Sequence, residues 1–236
     1  LYSFPALMFR NLMKGSNIPR YRGLPTVLRE NGYRTLFFMT HESQYDNMNA
    51  FLRTNGYDEI YAQENYPRRE VVNSFGVPDH YLYRYALHRL AKQKEPFMAT
   101  LLSISNHPPY IIPDWFHPDA GEKEQQIVEY ADDALRIFFK QASAQPWYGH
   151  TVFVLLGDHG KLTGSSESEM PDCLNHIPLI IHAPGMSPGE VTSWGMQMDV
   201  QPTLLSLLGI TARQENFGQN LLRHPRSMAL YTADNV

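Results

Sequence analysis

Apolar and polar positions along this chain follow two rhythms. Short apolar runs at 35–39, 97–103, 151–156 and 178–182 predict strands. Between them lie stretches whose apolar residues recur every three or four positions, which predicts helices over 25–31, 46–54, 79–93, 125–141 and 202–208. Pro25 and Pro202 fall in first turns, and Gly32, Asn55-Gly56 and Gly209 supply the stops. The 79–93 helix is marked by Leu82, Tyr85, Ala86 and Leu90. Alternation of strand and helix predicts an α/β fold with a mostly parallel sheet sandwiched by helices. The run at 151–156 is nearly all apolar, as in a strand buried on both faces of such a sheet.

Composition narrows this picture. With 236 residues and 43% hydrophobic content the chain can bury a sizeable core, in one large domain or two small ones. Its 20 basic and 24 acidic residues leave a net charge of -4, which excludes an electrostatic footprint for nucleic acid. A single cysteine, Cys173, excludes an internal disulfide framework and a cysteine-built zinc site. No apolar run approaches the roughly 20 residues that cross a bilayer. The opening Leu1-Tyr2-Ser3-Phe4-Pro5 reads as the interior of something longer, so the chain is expected to be a fragment.

Three of the strands run into polar segments: His41 after the first, His107 after the second, Asp158 with His159 after the third. Open α/β sheets bind ligands at the carboxyl ends of their strands, so these loops are expected to share one crevice. A carboxylate beside an imidazole suits Mn2+, Zn2+ or Mg2+, and Gly157 and Gly160 let the backbone turn both side chains to one ion. The same four residues also suit a polar turn whose aspartate bonds backbone amides. Pro108 and Pro109 stiffen the loop of His107, which would hold the imidazole to donate a hydrogen bond to an anionic oxygen; an exposed loop histidine fits as well. His41 suits a satisfied strand end, and His182, inside an apolar run, a partly buried packing residue. Tyr81, Tyr83 and Tyr85 are two apart, which argues against a stacking platform on one helix face.

Several segments together resemble one family. The stretch Thr151-Val-Phe-Val-Leu-Leu-Gly-Asp-His-Gly160 is similar to the metal-binding strand and turn of sulfatases, phosphoethanolamine transferases and lipoteichoic acid synthases. Asn175-His-Ile-Pro-Leu-Ile-Ile-His-Ala-Pro-Gly185 resembles the strand that follows. Met198-Asp-Val-Gln-Pro-Thr-Leu-Leu-Ser-Leu-Leu-Gly-Ile210 and Asn216-Phe-Gly-Gln-Asn-Leu-Leu222 resemble the late helix and the segment after it. Ser105-Asn-His-Pro-Pro-Tyr110, Tyr45-Asp-Asn-Met48 and Gly76-Val-Pro-Asp79 resemble the phosphoglycerol transferase branch.

The resemblance implies an alkaline phosphatase/sulfatase-like fold, with residues 1–236 as one catalytic-domain fragment whose upstream part is missing. It implies one divalent ion, Mn2+ first, with Zn2+, Mg2+ or Ca2+ as alternatives, held in part by Asp158 and His159. His107 would be catalytic and substrate-contacting, and His41 would lie on the substrate side, although the tryptophan and arginine expected shortly after it are absent. A threonine nucleophile and an acidic ligand would precede Leu1, leaving the fragment inactive by itself. The implied activity is metal-dependent transfer of a phosphoglycerol-type head group from a lipid-linked or glycan phosphodiester. It would take place on the extracytoplasmic face of a bacterial membrane, reached through an upstream anchor. A sulfatase using formylglycine, and a non-catalytic domain of the same fold, are the alternatives.

Overall fold

The strand β1 (Arg34–Met39) has Leu36, Phe37, Phe38 and Met39 all buried, and its two flanks explain why. It pairs in parallel with β2 (Glu59–Tyr61) on one side and β3 (Phe97–Leu102) on the other, giving the order β2-β1-β3. A central parallel strand shows neither face to water, so every position can be apolar. In a computed structural model of the chain the described residues are 1–4, 13–15, 17–161, 173, 176–224 and 226–229. They form two compact units, one of Asn17–Arg20 and Pro25–Tyr148, the other of Leu1–Ser16, Tyr21–Leu24 and Gly149–Val236.

The larger unit holds the parallel sheet. The helix α1 (Leu24–Glu30) places Val27 and Leu28 in the core. The next helix, α2 (Met48–Thr54), starts later than the sequence pattern suggests, because Asp46 and Asn47 adopt left-handed backbone angles in a 3-10 turn before it. At its far end Gly56 has φ +111, and a Cβ there would lie 2.6 Å from the backbone nitrogen of Thr26, so glycine lets α1 and α2 close together. Two longer helices, α3 (Asp79–Leu90) and α4 (Lys123–Ala142), pack on each other. Ile127, Tyr130, Ala134, Phe138 and Ala142 form the buried stripe of α4 at helical spacing. Tyr81 and Tyr85, one turn apart, stack at 6.4 Å with Tyr66 against both, while Tyr83 faces Phe138. The tyrosine trio therefore divides between two faces, and its i,i+4 pair does stack.

The smaller unit holds β4 (Phe153–Leu156), β5 (Leu179–His182) and α5 (Val200–Leu207). β4 and β5 pair antiparallel, with Phe153 opposite His182 and Leu156 opposite Leu179. This corrects the expectation of a doubly buried parallel strand at 151–156: β4 is half-buried, and Leu156 is exposed. An apolar run reports the tendency to be buried, not the direction of its partner, and an antiparallel pair needs no crossover helix. His182 is exposed rather than partly buried, its ring stacked on Phe153 at 6.1 Å. The first turn of α5 is anchored by Asp199, whose carboxylate is 0% exposed and accepts from Arg226 Nε at 2.6 Å and Arg226 Nη2 at 2.7 Å. The same carboxylate accepts the backbone N–H groups of Met196 and Gln219. No helix among the described residues is long and apolar enough to cross a membrane.

Candidate functional site

Parallel pairing of β1 and β3 puts the carboxyl ends of both strands at one sheet edge, and with them the segments carrying His41 and His107. His41, two residues past β1, is 4% exposed and tilted against Tyr45 at 4.8 Å. Its Nδ1 bonds the Glu42 carbonyl at 3.0 Å. Gly76 makes room beside it: at φ +93, a Cβ would lie 1.7 Å from the Thr40 carbonyl oxygen. Only a residue without a side chain lets this loop close over the end of β1.

The same loop reaches His107. Phe75, turned by its own N–H onto Asn73 Oδ1 at 2.8 Å, lies 4.3 Å from the exposed His107 ring. His107 Nδ1 donates to the Pro108 carbonyl at 2.6 Å, and the His107 backbone N–H to the Ile104 carbonyl at 2.8 Å. A carbonyl can only accept, so the proton sits on Nδ1 and the neutral ring presents the Nε2 lone pair. The expected donor role toward an anionic oxygen therefore needs the imidazolium, whereas the neutral ring accepts a proton.

Behind His107 stands Asp79, the first residue of α3 and 2% exposed. Its Oδ1 accepts the backbone N–H groups of Ile104 and Ser105, both at 3.0 Å, and its own N–H donates to Ser105 Oγ at 3.0 Å. Burial pushes this carboxyl above the usual carboxylate range, and the bonds from Ile104 and Ser105 oppose that shift. The sequence marks Asp79 as a helix start but carries no signal of its partners some 25 residues on.

In the smaller unit the pair Asp158 and His159 follows β4 directly. Both are open to solvent, with side chains 76% and 64% exposed. Asp158 Oδ1 accepts the His159 backbone N–H at 2.9 Å, and His159 Nδ1 donates to the Gly160 carbonyl at 2.7 Å. That leaves Asp158 Oδ2 facing His159 Nε2 at 3.8 Å. Two donors of this kind, at this separation, fit neighbouring positions on one divalent ion, and a carbonyl-bound Nδ1–H is the usual way a ligating imidazole is oriented. They make half of a four-ligand shell; among the described residues no cluster of three or more His, Cys, Asp or Glu is placed to hold a metal. Gln197, which sequence reasoning missed, donates from Nε2 to the carbonyls of Gly157 at 3.1 Å and Asp158 at 2.6 Å, and so fixes the turn from below.

The larger unit has parallel strands ending in histidine loops, and the smaller a carboxylate and imidazole after a strand. Solved structures give the class of this fold, that of the alkaline phosphatase superfamily. A protein of the alkaline phosphatase superfamily from Vibrio parahaemolyticus superposes with TM-score 0.83 and 31% identity, over 96% of this chain and 57% of that one. The lipoteichoic acid synthase LtaP from Listeria monocytogenes does so with TM-score 0.85 and 26% identity, over 94% and 61%. The family description "Sulfatase" matches residues 2–210, and the chain belongs to the sulfatase family. Among curated relatives, lipoteichoic acid synthase 1 of Bacillus subtilis is 28% identical, covering 94% of this chain and 38% of its own length. The lipoteichoic acid synthase of Staphylococcus aureus (strain USA300) is 27% identical, covering 89% and 36%. The chain thus spans little more than a third of these relatives.

Proposed function

We propose that this chain is the part of a cell-envelope phosphoglycerol-type transferase that carries two metal ligands and the substrate-side histidines. The observation that carries the reading is the Asp158 Oδ2 and His159 Nε2 pair, 3.8 Å apart and, among the described residues, not used by the bonds that orient them, in a chain similar to a lipoteichoic acid synthase over 94% of its length. A divalent ion bound there, Mn2+ first among the candidates, would supply positive charge to a phosphoryl oxygen and to a coordinated nucleophile.

The chain's own residues do the rest. Gly160 and the His159 backbone fix the direction of the two donors, and Gln197 fixes the turn that carries them. His107 as imidazolium would give its proton to the oxygen that departs when the nucleophile attacks, and the neutral ring would take one at Nε2 from the acceptor hydroxyl that then displaces the nucleophile. His41 stands at the same sheet edge and is 4% exposed. The reading requires a nucleophile, an acidic ligand and a membrane anchor from elsewhere in the full-length protein.

The test uses the full-length protein with Mn2+ and a fluorescent glycerophospholipid bearing a phosphoglycerol head group, beside an aryl sulfate. Asp158→Ala and His159→Ala are each expected to lower phosphodiester turnover by about a thousandfold or more while changing stability by less than about 0.5 kcal/mol, since both side chains are exposed. Turnover of the sulfate alone would make the protein a sulfatase. Neither turnover nor Mn2+ binding would make it a non-catalytic domain.

A further inference from the structure

We propose that Asp79 is a positioning residue for His107, acting through the backbone at the base of the histidine loop. Burying a carboxylate with no cation against it among the described residues is costly, and a serine would cap a helix start as well. Asp79 spends its bonds elsewhere. Its Oδ1 takes the N–H groups of Ile104 and Ser105, which belong to the chain leaving β3. Ser105 Oγ takes the Asp79 N–H in return, so start of helix and base of loop are clamped reciprocally. The next bond outward runs from the His107 N–H to the carbonyl of Ile104, the residue whose N–H Asp79 holds. Four residues before Asp79, Phe75 lies against the His107 ring at 4.3 Å. One segment, 75–79, therefore fixes the imidazole both at its backbone and on its face.

The inference rests on His107 being the substrate-contacting histidine, but its test does not need turnover. Native-state amide exchange and the ring 13C and 15N shifts of His107 are compared in the full chain for Asp79→Ala, Asp79→Asn and Ser105→Ala. In Asp79→Ala the amides of Ile104, Ser105 and His107 are expected to exchange at least about tenfold faster while the β1 amides keep their protection, since the opening is local. The His107 ring then loses its Nδ1–H signature. Asp79→Asn keeps both, because an amide Oδ1 accepts the same two N–H groups. Should Asp79→Ala fail to fold, Ser105→Ala carries the comparison, with a smaller acceleration at the same amides.

Equal acceleration in β1 and in the loop would make Asp79 a stability residue and overturn the proposal. So would an unchanged His107 ring in a loop that has opened, or no change at all in Ser105→Ala. Intact turnover in full-length His107→Ala would instead sink the catalytic role of His107, and would leave the exchange result standing.

Discussion

The loop of His107 and the turn of Asp158 and His159 are held in opposite ways. The first is exposed at its tip and anchored at its base by a buried carboxylate from another element. The second is exposed throughout and oriented by its own backbone, with one amide side chain, Gln197, reaching in from a 3-10 turn. A histidine that must meet a substrate gains from a rigid base, because a misplaced imidazole loses proton transfer. A metal pair draws its rigidity from the ion, so lighter support suffices before binding. Buried polar anchors should therefore govern folding in each unit, and the exposed pair should govern binding alone.

The hardest test of that division is in the smaller unit. Arg226→Ala leaves the Asp199 carboxylate at 0% exposure without its guanidinium, and Asp199→Ala strands Arg226 together with the N–H groups of Met196 and Gln219. Breaking a buried ion pair from one side costs about 3–5 kcal/mol. A urea melt of either variant is expected to show that loss, and a drop below about 1 kcal/mol would mean the pair is not what holds α5.

Next in size is Gly76→Ala in the larger unit. A left-handed backbone angle for alanine costs about 1–2 kcal/mol, and here the new Cβ also meets the Thr40 carbonyl, so the expected loss is at least about 2 kcal/mol. Because the loop would lift off the ends of β1 and β3, the His41 and His107 ring shifts should move with it. Destabilisation with both rings unmoved would separate the loop from the site.

These anchors also mark the limit of what the sequence says. Strong periodicity made β1, β3, α3, α4 and α5 legible to within a few residues, and Gly32, Gly56 and Gly209 mark stops because each adopts a positive φ. β2 escaped because three residues led by Glu59 show no alternation to read. The antiparallel turn of β5 escaped because apolar runs carry no direction. Asp158, His159, His107 and His41 stood out as chemistry-bearing residues at strand ends. Asp79 and Gln197 did not, since their partners lie 25–26 and 39–40 residues away and only folding brings them together.

Gln197→Ala sharpens the comparison from the side of the metal pair. Removing an outer support of a metal site costs roughly 10–100-fold in affinity, and Mn2+ titration of the full-length protein should show a loss in that range. Folding stability should stay within about 0.5 kcal/mol, as Gln197 is exposed. An unchanged Mn2+ affinity would mean the backbone bonds of Asp158 and His159 orient the pair unaided.

The smallest effect lies one residue from the Asp79 clamp. His80 Nδ1 meets the Tyr130 hydroxyl at 2.6 Å, and the same oxygen accepts the His80 backbone N–H at 3.3 Å. Burial pushes the Tyr130 hydroxyl up, so it stays a donor and the His80 nitrogen facing it stays unprotonated. Burial first, and then the Arg84 charge, hold His80 below its ordinary value of 6.5, with Glu70 opposing them. Between that value and the lower folded one the unfolded chain binds more protons, so stability falls as pH drops below 6.5. The urea midpoint should decline from about pH 7.5 to about pH 5.5, and His80→Gln should flatten that slope, because only this imidazole is removed from the titration. Equal slopes in the two proteins would mean that His80 takes its proton as readily folded as unfolded.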